Sequence, residues 1–296
     1  MKVAGAPITW GVCEVPGWGH QMGAERVFRE MRELGLEATE LGPPGYLPDG
    51  AADLRLQLDS SGLSLAGGFL AAVLHEPDSR AATLGLVVKT AAKLAAAGAE
   101  VLVLAAALPA AGYETRERLT EDGWAALIET LSAVEEAVAA RGLRLAVHPH
   151  AGTAIAGAAE VTRLLERTTA SLCLDTGHLF LGGVDPAELA RAAGARVSHV
   201  HLKDVDAGLM AQLAGGRLSY LEAIRAGLYR PLGQGDLDLE AVFGSLQESG
   251  YEGWYVLEQD VALAEEPAPS EGPLVAARQS VEFFRALEGL KGRIAK

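Results

Sequence analysis

The residues able to do chemistry are unevenly distributed along this chain. Of 7 histidines, five (His148, His150, His178, His199 and His201) fall within one stretch of 54 residues, counted from His148 to His201. They belong to four short clusters: His148-Pro-His150, Asp175-Thr-Gly-His178, His199-Val-His201-Leu-Lys203-Asp204 and Glu258-Gln-Asp260. A single histidine at a strand end is ordinarily a hydrogen-bonded structural residue, and a single carboxylate is ordinarily a solvated one. Together the clusters say more. Imidazole nitrogens and hard carboxylate oxygens on successive elements are the donors a divalent cation takes. Two carboxylates with one or two imidazoles and room for water suit Mn²⁺, Co²⁺, Zn²⁺ or Fe²⁺ better than Ca²⁺. Cys173 is read as standing outside this set.

The elements that must position these residues are short apolar runs alternating with amphipathic segments. Strand-like runs cover residues 3–9, 37–41, 63–69, 100–106, 143–148, 172–175, 197–202 and 254–258. Helical periods lie at 23–34, 81–97, 124–140 and 186–193, through Leu54 and Leu58, Val161 and Leu165, and Val242 and Leu246, with a closing helix within 272–290. Eight strands each followed by a helix imply parallel pairing through helical crossovers, and under 300 residues that count predicts a (β/α)8 barrel. A doubly wound open sheet is the alternative, but no GxGxxG follows the first strand. One domain is expected over 1–296, with an irregular insertion at 205–235 serving as a lid or an interface, which leaves a homo-oligomer open. Every cluster then sits at the C-terminal end of a strand, the barrel face where active sites are built. His199 and His201, two apart, share one side of their strand. His199 is then deeper and His201 nearer the mouth.

Composition narrows the partners. With 25 Lys and Arg against 39 Asp and Glu, the net charge of −14 disfavours nucleic acid and anionic membranes. Two cysteines far apart suggest reduced thiols, and no leader or spanning stretch is evident, so a cytoplasmic protein acting on small molecules is expected.

The sequence resembles the xylose isomerase-like TIM barrels, and within them the inosose dehydratase (2-keto-myo-inositol dehydratase) branch. The resemblance runs from the first strand to the eighth. It is carried by Asp175-Thr-Gly-His178, His199-Val-His-Leu-Lys-Asp204, His148-Pro-His-Ala-Gly-Thr153, Gly42-Pro43 with Gly45-Tyr-Leu-Pro48, Ala6-Pro-Ile-Thr-Trp-Gly11 and Pro231-Leu-Gly-Gln-Gly235. It implies a metal set of Glu, Asp, His and Glu from strands five to eight. Asp175, His201 and Glu258 match, and His148 replaces the first Glu. That departure removes the two-glutamate proton shuttle used by ketose epimerases of the superfamily. His178 matches a position that contacts substrate oxygen, while Trp10, Glu40 and Lys203 are expected at strand ends facing the substrate.

The reaction implied is metal-dependent loss of water from a keto-polyol, with Mn²⁺ or Co²⁺ preferred and Zn²⁺, Fe²⁺ or Mg²⁺ as alternatives. An α-proton must be removed, an enolate stabilised and a β-hydroxyl protonated as it leaves. Glu258 or His148 is the candidate base, and His178 or His150 the candidate acid. A ketose isomerase or epimerase using the same enolate is the second reading, and a non-catalytic metal- or sugar-binding protein the third. The endonuclease branch of the superfamily fits the charge least.

Overall fold

Strand propensity and a period of two along each apolar run dictate the barrel. The computed structural model of the protein describes all residues except 110–112, 114–116, 295 and 296. Ten strands are present among the described residues: β1 (Lys2–Gly5), β2 (Ala38–Glu40), β3 (Ser64–Ala72), β4 (Val101–Ala106), β5 (Arg144–Val147), β6 (Leu172–Asp175), β7 (Val197–Leu202), β8 (Asp204–Val205), β9 (Tyr229–Arg230) and β10 (Trp254–Leu257). Eight of them close a parallel barrel in the order β1-β10-β7-β6-β5-β4-β3-β2, with helices in the crossovers. The eighth barrel strand is therefore β10, because β8 and β9 form a separate antiparallel pair after β7.

Alternation sorts the side chains. Leu102, Leu104, Leu145, Leu172, Leu174 and Val200 point outward into the layer beneath the helices, the main apolar core. Inside the barrel stand Ala4, Ala6, Ala38, Ala66 and Val256 on one side and Val101, Val103, Ala146 and Cys173 on the other. Alanine at so many inward positions leaves interior volume for the longer side chains one layer higher. Continuing each inward row toward the mouth reaches Glu40, His148, Asp175, His201 and Glu258, all buried. Register aligns them, with Asp175 opposite His201 and Val256 opposite His201 on its other side. Register shifts at Thr39/Glu40 and Leu172/Cys173 mark irregular pairing there, a device that re-aims side chains near sites.

Three local expectations are corrected. The first strand ends at Gly5, and Pro7–Trp10 forms a 3-10 turn with Pro at its start, so this segment does not extend to residue 9. A six-residue helix, Thr176–Leu181, follows β6 directly. The segment 205–235 is ordered rather than irregular, with helices Ala207–Ala214 and Tyr220–Arg225. Its folding signals are local: Asp206 caps the first helix, and Ser219 and Glu222 form a capping box on the second. Asp204 ties the return, accepting from the backbone N–H groups of Gly233 and Gly235, each at 2.9 Å. The closing helix runs Pro273–Ile294. Both cysteines are free and buried, and among the described residues no helix is long and apolar enough to cross a membrane.

Candidate active site

A cavity of about 560 Å³, including its open mouth, lies at the C-terminal end of the barrel, lined by Glu40, His148, His150, His178, His201, Lys203, Glu258 and Asp260 among others. Its deepest layer is a carboxylate shared by two imidazoles. Glu40 Oε1 accepts from His199 Nε2 at 2.8 Å and from His201 Nε2 at 3.2 Å. Gly67 makes room for this layer, since a Cβ there would meet the Val101 carbonyl at 3.0 Å and Glu40 Oε1 at 3.6 Å. Burial alone would push the Glu40 carboxyl up, but the His201 and His199 rings outweigh it and hold Glu40 well below the usual carboxylate range.

Above it, Asp175 Oδ2 is a hub. It lies 2.6 Å from Lys203 Nζ, 3.4 Å from His201 Nδ1 and 3.5 Å from His148 Nε2. The other oxygen, Oδ1, caps helix Thr176–Leu181 by accepting from the His178 backbone N–H at 2.8 Å, which fixes the carboxylate's rotation. Glu258 Oε2 completes the cluster, 3.3 Å from His201 Nδ1 and in close contact with Lys203 Nζ. Against the cost of burial, Asp175 and Glu258 push the Lys203 ammonium well above its ordinary value, and Lys203 with His178 holds Asp175 well below its own.

His201 bears directly on whether these donors fit a metal ion. Its Nε2 donates to Glu40, while Nδ1 is buried, has no hydrogen-bond partner and faces two carboxylate oxygens. A lone pair converging with two carboxylates requires a proton or a cation between them. One ligand atom from each of Asp175, His201 and Glu258 lies within 4.8 Å of the others. His148 donates Nδ1–H to the Pro149 carbonyl at 2.8 Å, so Nε2 keeps its lone pair toward Asp175. The donor set therefore fits a divalent ion, and Glu40 behind His201 stands where a carboxylate would orient that imidazole as a ligand. The Cys173 sulfur also lies within 4.8 Å of ligand atoms of His148 and His201, but burial pushes the thiol up to about 11 and so disfavours the thiolate a metal would take.

A model of the xylose isomerase-like TIM barrel matches residues 28–287. The chain belongs to that family. It is 29% identical to the inosose dehydratase of Geobacillus kaustophilus (strain HTA426) over 97% of this chain and 94% of that protein. It is 32% identical to the rhizopine catabolism protein MocC of Rhizobium meliloti over 99% of this chain and 90% of that protein. Among solved structures, an L-ribulose 3-epimerase superposes with a TM-score of 0.73 at 17% identity, covering 100% of this chain and 97% of that one. The probable 3-DHS dehydratase AsbF from Bacillus anthracis gives 0.71 at 13% identity, over 96% and 99%. Those two likenesses establish the fold, and the sequence relatives establish that this xylose isomerase-like barrel is an enzyme.

The barrel brings His148, His150, His178, Glu40, Lys203, Asp175, His201 and Glu258 to one cavity. It does not bring Trp10. At the end of the 3-10 turn that indole is buried outside the barrel, where its Nε1–H donates to Glu30 Oε2 on helix Ala24–Glu33 at 2.7 Å. Lys203 is no open rim contact either, since it is 2% exposed and ion-paired. Two participants were given no role from the sequence, although Asp260 was already part of the Glu258-Gln-Asp260 cluster. Asp260 lines the cavity with Oδ1 unpartnered, and burial pushes its carboxyl up to about 7. Tyr229, contributed by β9, presents its ring 5.8 Å from Lys203 Nζ. The even spacing of Glu258 and Asp260 was the available sign for the first.

Proposed function

We propose that this enzyme is a divalent-metal-dependent dehydratase that removes water from a keto-polyol of the inosose type in the cytoplasm. The supporting observation is the division of the cavity into a convergent donor set and a group of neutral imidazoles, in a chain whose relatives at about this length are named inosose dehydratases. His201, Asp175, Glu258 and His148 would hold the ion, Mn²⁺ or Co²⁺ by preference. When bound, it supplies Lewis-acid polarisation of a carbonyl and an adjacent hydroxyl.

The remaining steps belong to the chain. Asp175 is fully buried, whereas Glu258 is 8% exposed at the cavity wall, which makes Glu258 the better-placed base for the α-proton. His178 is the better-placed donor to the leaving hydroxyl. The Ala151 N–H points at its Nδ1 at 3.4 Å, so the ring proton resides on Nε2. Burial depresses both His178 and His150, the latter to about 4, and both imidazoles stay neutral near pH 7. His150 is turned by Nδ1–H donation to the Ala151 carbonyl at 2.8 Å, leaving Nε2 to accept. The α-proton passes to Glu258, and C–O cleavage is assisted by the His178 Nε2–H as it gives its proton to the departing hydroxyl. The proton taken by Glu258 restores His178, so that water is released and an enolised diketone remains.

His148 where the superfamily has a glutamate removes the second carboxylate that symmetric epimerisation would use, which supports elimination over reprotonation. The deciding experiment reconstitutes the protein with Mn²⁺ and follows 2-keto-myo-inositol and a panel of ketoses by mass and NMR. Loss of one water with diketone formation supports the reading. Epimer formation without loss of water overturns it.

A further inference from the structure

We propose that Lys203 holds the cation's place in the metal-free protein, and that Asp260 is the positioning residue that receives its ammonium when the ion arrives. The inference rests on the metal-centre reading above. Lys203 Nζ lies 2.6 Å from Asp175 Oδ2 and against Glu258 Oε2. Those same two oxygens face His201 Nδ1 at 3.4 and 3.3 Å. A divalent ion on His201, Asp175 and Glu258 must therefore share both oxygens with an ammonium, and like charges at that separation repel strongly in a buried site. The ammonium has to move, and at 2% exposure it gains little from solvent where it stands. A buried charge left without a partner is costly, so another acceptor is required.

Asp260 provides one. Its Oδ1 lies 3.7 Å from Nζ, is buried and has no hydrogen-bond partner, while its Oδ2 accepts a long bond from the Tyr220 hydroxyl at 3.5 Å. The carboxylate is thus anchored by one oxygen and bare on the side facing the lysine. The stem of Lys203 is confined along its other flank. A Cβ on Gly177 would meet Lys203 Cβ at 2.8 Å and Cδ at 3.0 Å, so the freedom left to the chain is near its tip. A small swing of Nζ over the Tyr229 face then exchanges two partners for one. No other acidic group is recorded within 4 Å of this nitrogen among the described residues beyond Asp175, Glu258 and Asp260.

The test is a double-mutant cycle on Mn²⁺ affinity by titration calorimetry. Lys203→Met removes the competitor and should tighten binding by about tenfold or more. Asp260→Asn removes the receiving acceptor and should weaken it by about tenfold. Charge alone would give those two signs, so the double variant decides. If Asp260 acts through Lys203, adding D260N to K203M changes affinity by less than about twofold. An equal loss with and without Lys203 overturns the proposal and makes Asp260 a plain negative charge. Wild-type protein that binds no Mn²⁺ overturns the metal-centre reading and this inference with it, whereas wild-type binding with D260N unchanged overturns this inference alone. Should K203M not fold, a crystal structure of the Mn²⁺-loaded wild type answers directly: Nζ on Asp260 supports the exchange, and Nζ still on Asp175 overturns it.

Discussion

The two walls of the cavity are built from opposite materials. On the side of β6, β7 and β10 stand Asp175, Glu258 and Asp260 with Lys203 and His201, a dense set of charges that hold one another in place. On the side of β5 and helix Thr176–Leu181 stand His148, His150 and His178, stacked edge and face with ring centroids 5.0, 5.5 and 3.8 Å apart, beside Phe69. Burial acts on both walls and gives contrary results. It fails to neutralise Asp175 and Lys203 on the first, because opposite charges are within contact, while it pushes Asp260 behind them up to about 7. It strips the second of charge, because the imidazoles have chiefly each other. One wall is suited to holding an ion, the other to exchanging hydrogen bonds with hydroxyl groups. The family shares the barrel among many reactions, so this asymmetry, more than the fold, carries the functional reading.

The largest expected effect breaks the charged wall. Asp175→Ala removes the hub oxygen, and His201→Ala removes the nitrogen that lies between two carboxylates. Wild-type protein should carry about one divalent ion per chain by elemental analysis, and either variant should carry none, since each leaves only two of the convergent trio Asp175, His201 and Glu258. Metal content unchanged in both variants would place the ion elsewhere.

Next in size is Glu258→Gln, which keeps an oxygen donor and removes the base. Exchange of the substrate α-proton with deuterated solvent, read by NMR, should stop while metal content survives. Exchange at the wild-type rate with dehydration abolished transfers the base role across the cavity to His148.

Much of this wall was legible because its information is periodic. Asp175, His201 and Glu258 follow alternating apolar runs, and the inward rows of β6, β7 and β10 carry them to one level. His199 below His201 was readable for the same reason, and both meet Glu40 as parity requires. What was not legible depends on backbone turns rather than period. Trp10 lies five residues past the end of β1, and the 3-10 turn beginning at Pro7 rotates it out of the barrel. Helix Thr176–Leu181 is too short to show a period, yet its first turn fixes both Asp175 and His178. The ordering of 204–235 rests on caps and on Asp204 gathering glycine N–H groups, contacts made across about 30 residues that no local pattern reveals.

The imidazole wall is sharpened by a pair of substitutions. His178→Gln and His148→Gln should each lower turnover by about a hundredfold, the scale of a lost proton donor or acceptor. Their metal contents should separate them. His178 stands outside the donors assigned to the ion, its backbone N–H donating to Asp175 and its ring packing beside His148 at 5.5 Å, so H178Q should keep its ion, whereas H148Q should bind it more weakly. Equal metal affinity in the two would remove His148 from the ligand set and leave it with the hydroxyl-facing group. Near-normal turnover in either would take that residue out of the reaction.

The smallest effect on activity comes from Trp10, and it is informative for that reason. The indole N–H satisfies Glu30 Oε2, whose other oxygen accepts from Arg26 Nε at 2.8 Å, so the pair ties the turn after β1 to helix Ala24–Glu33. Trp10→Phe retains a buried ring and deletes the donor, leaving a carboxylate oxygen at a 3% exposed residue without its partner. An unsatisfied buried group of this kind costs roughly 1–3 kcal/mol, somewhat more when charged. W10F should therefore unfold at lower denaturant concentration with an unchanged slope, while kcat and KM for the preferred substrate stay at wild-type values. Restoring the balance on the other side provides a control: Glu30→Gln in the W10F background lowers the charge left buried and should recover part of the lost stability. A raised KM in W10F at normal stability would instead return this tryptophan to the substrate, and would require the first βα loop to adopt a different path when substrate is bound.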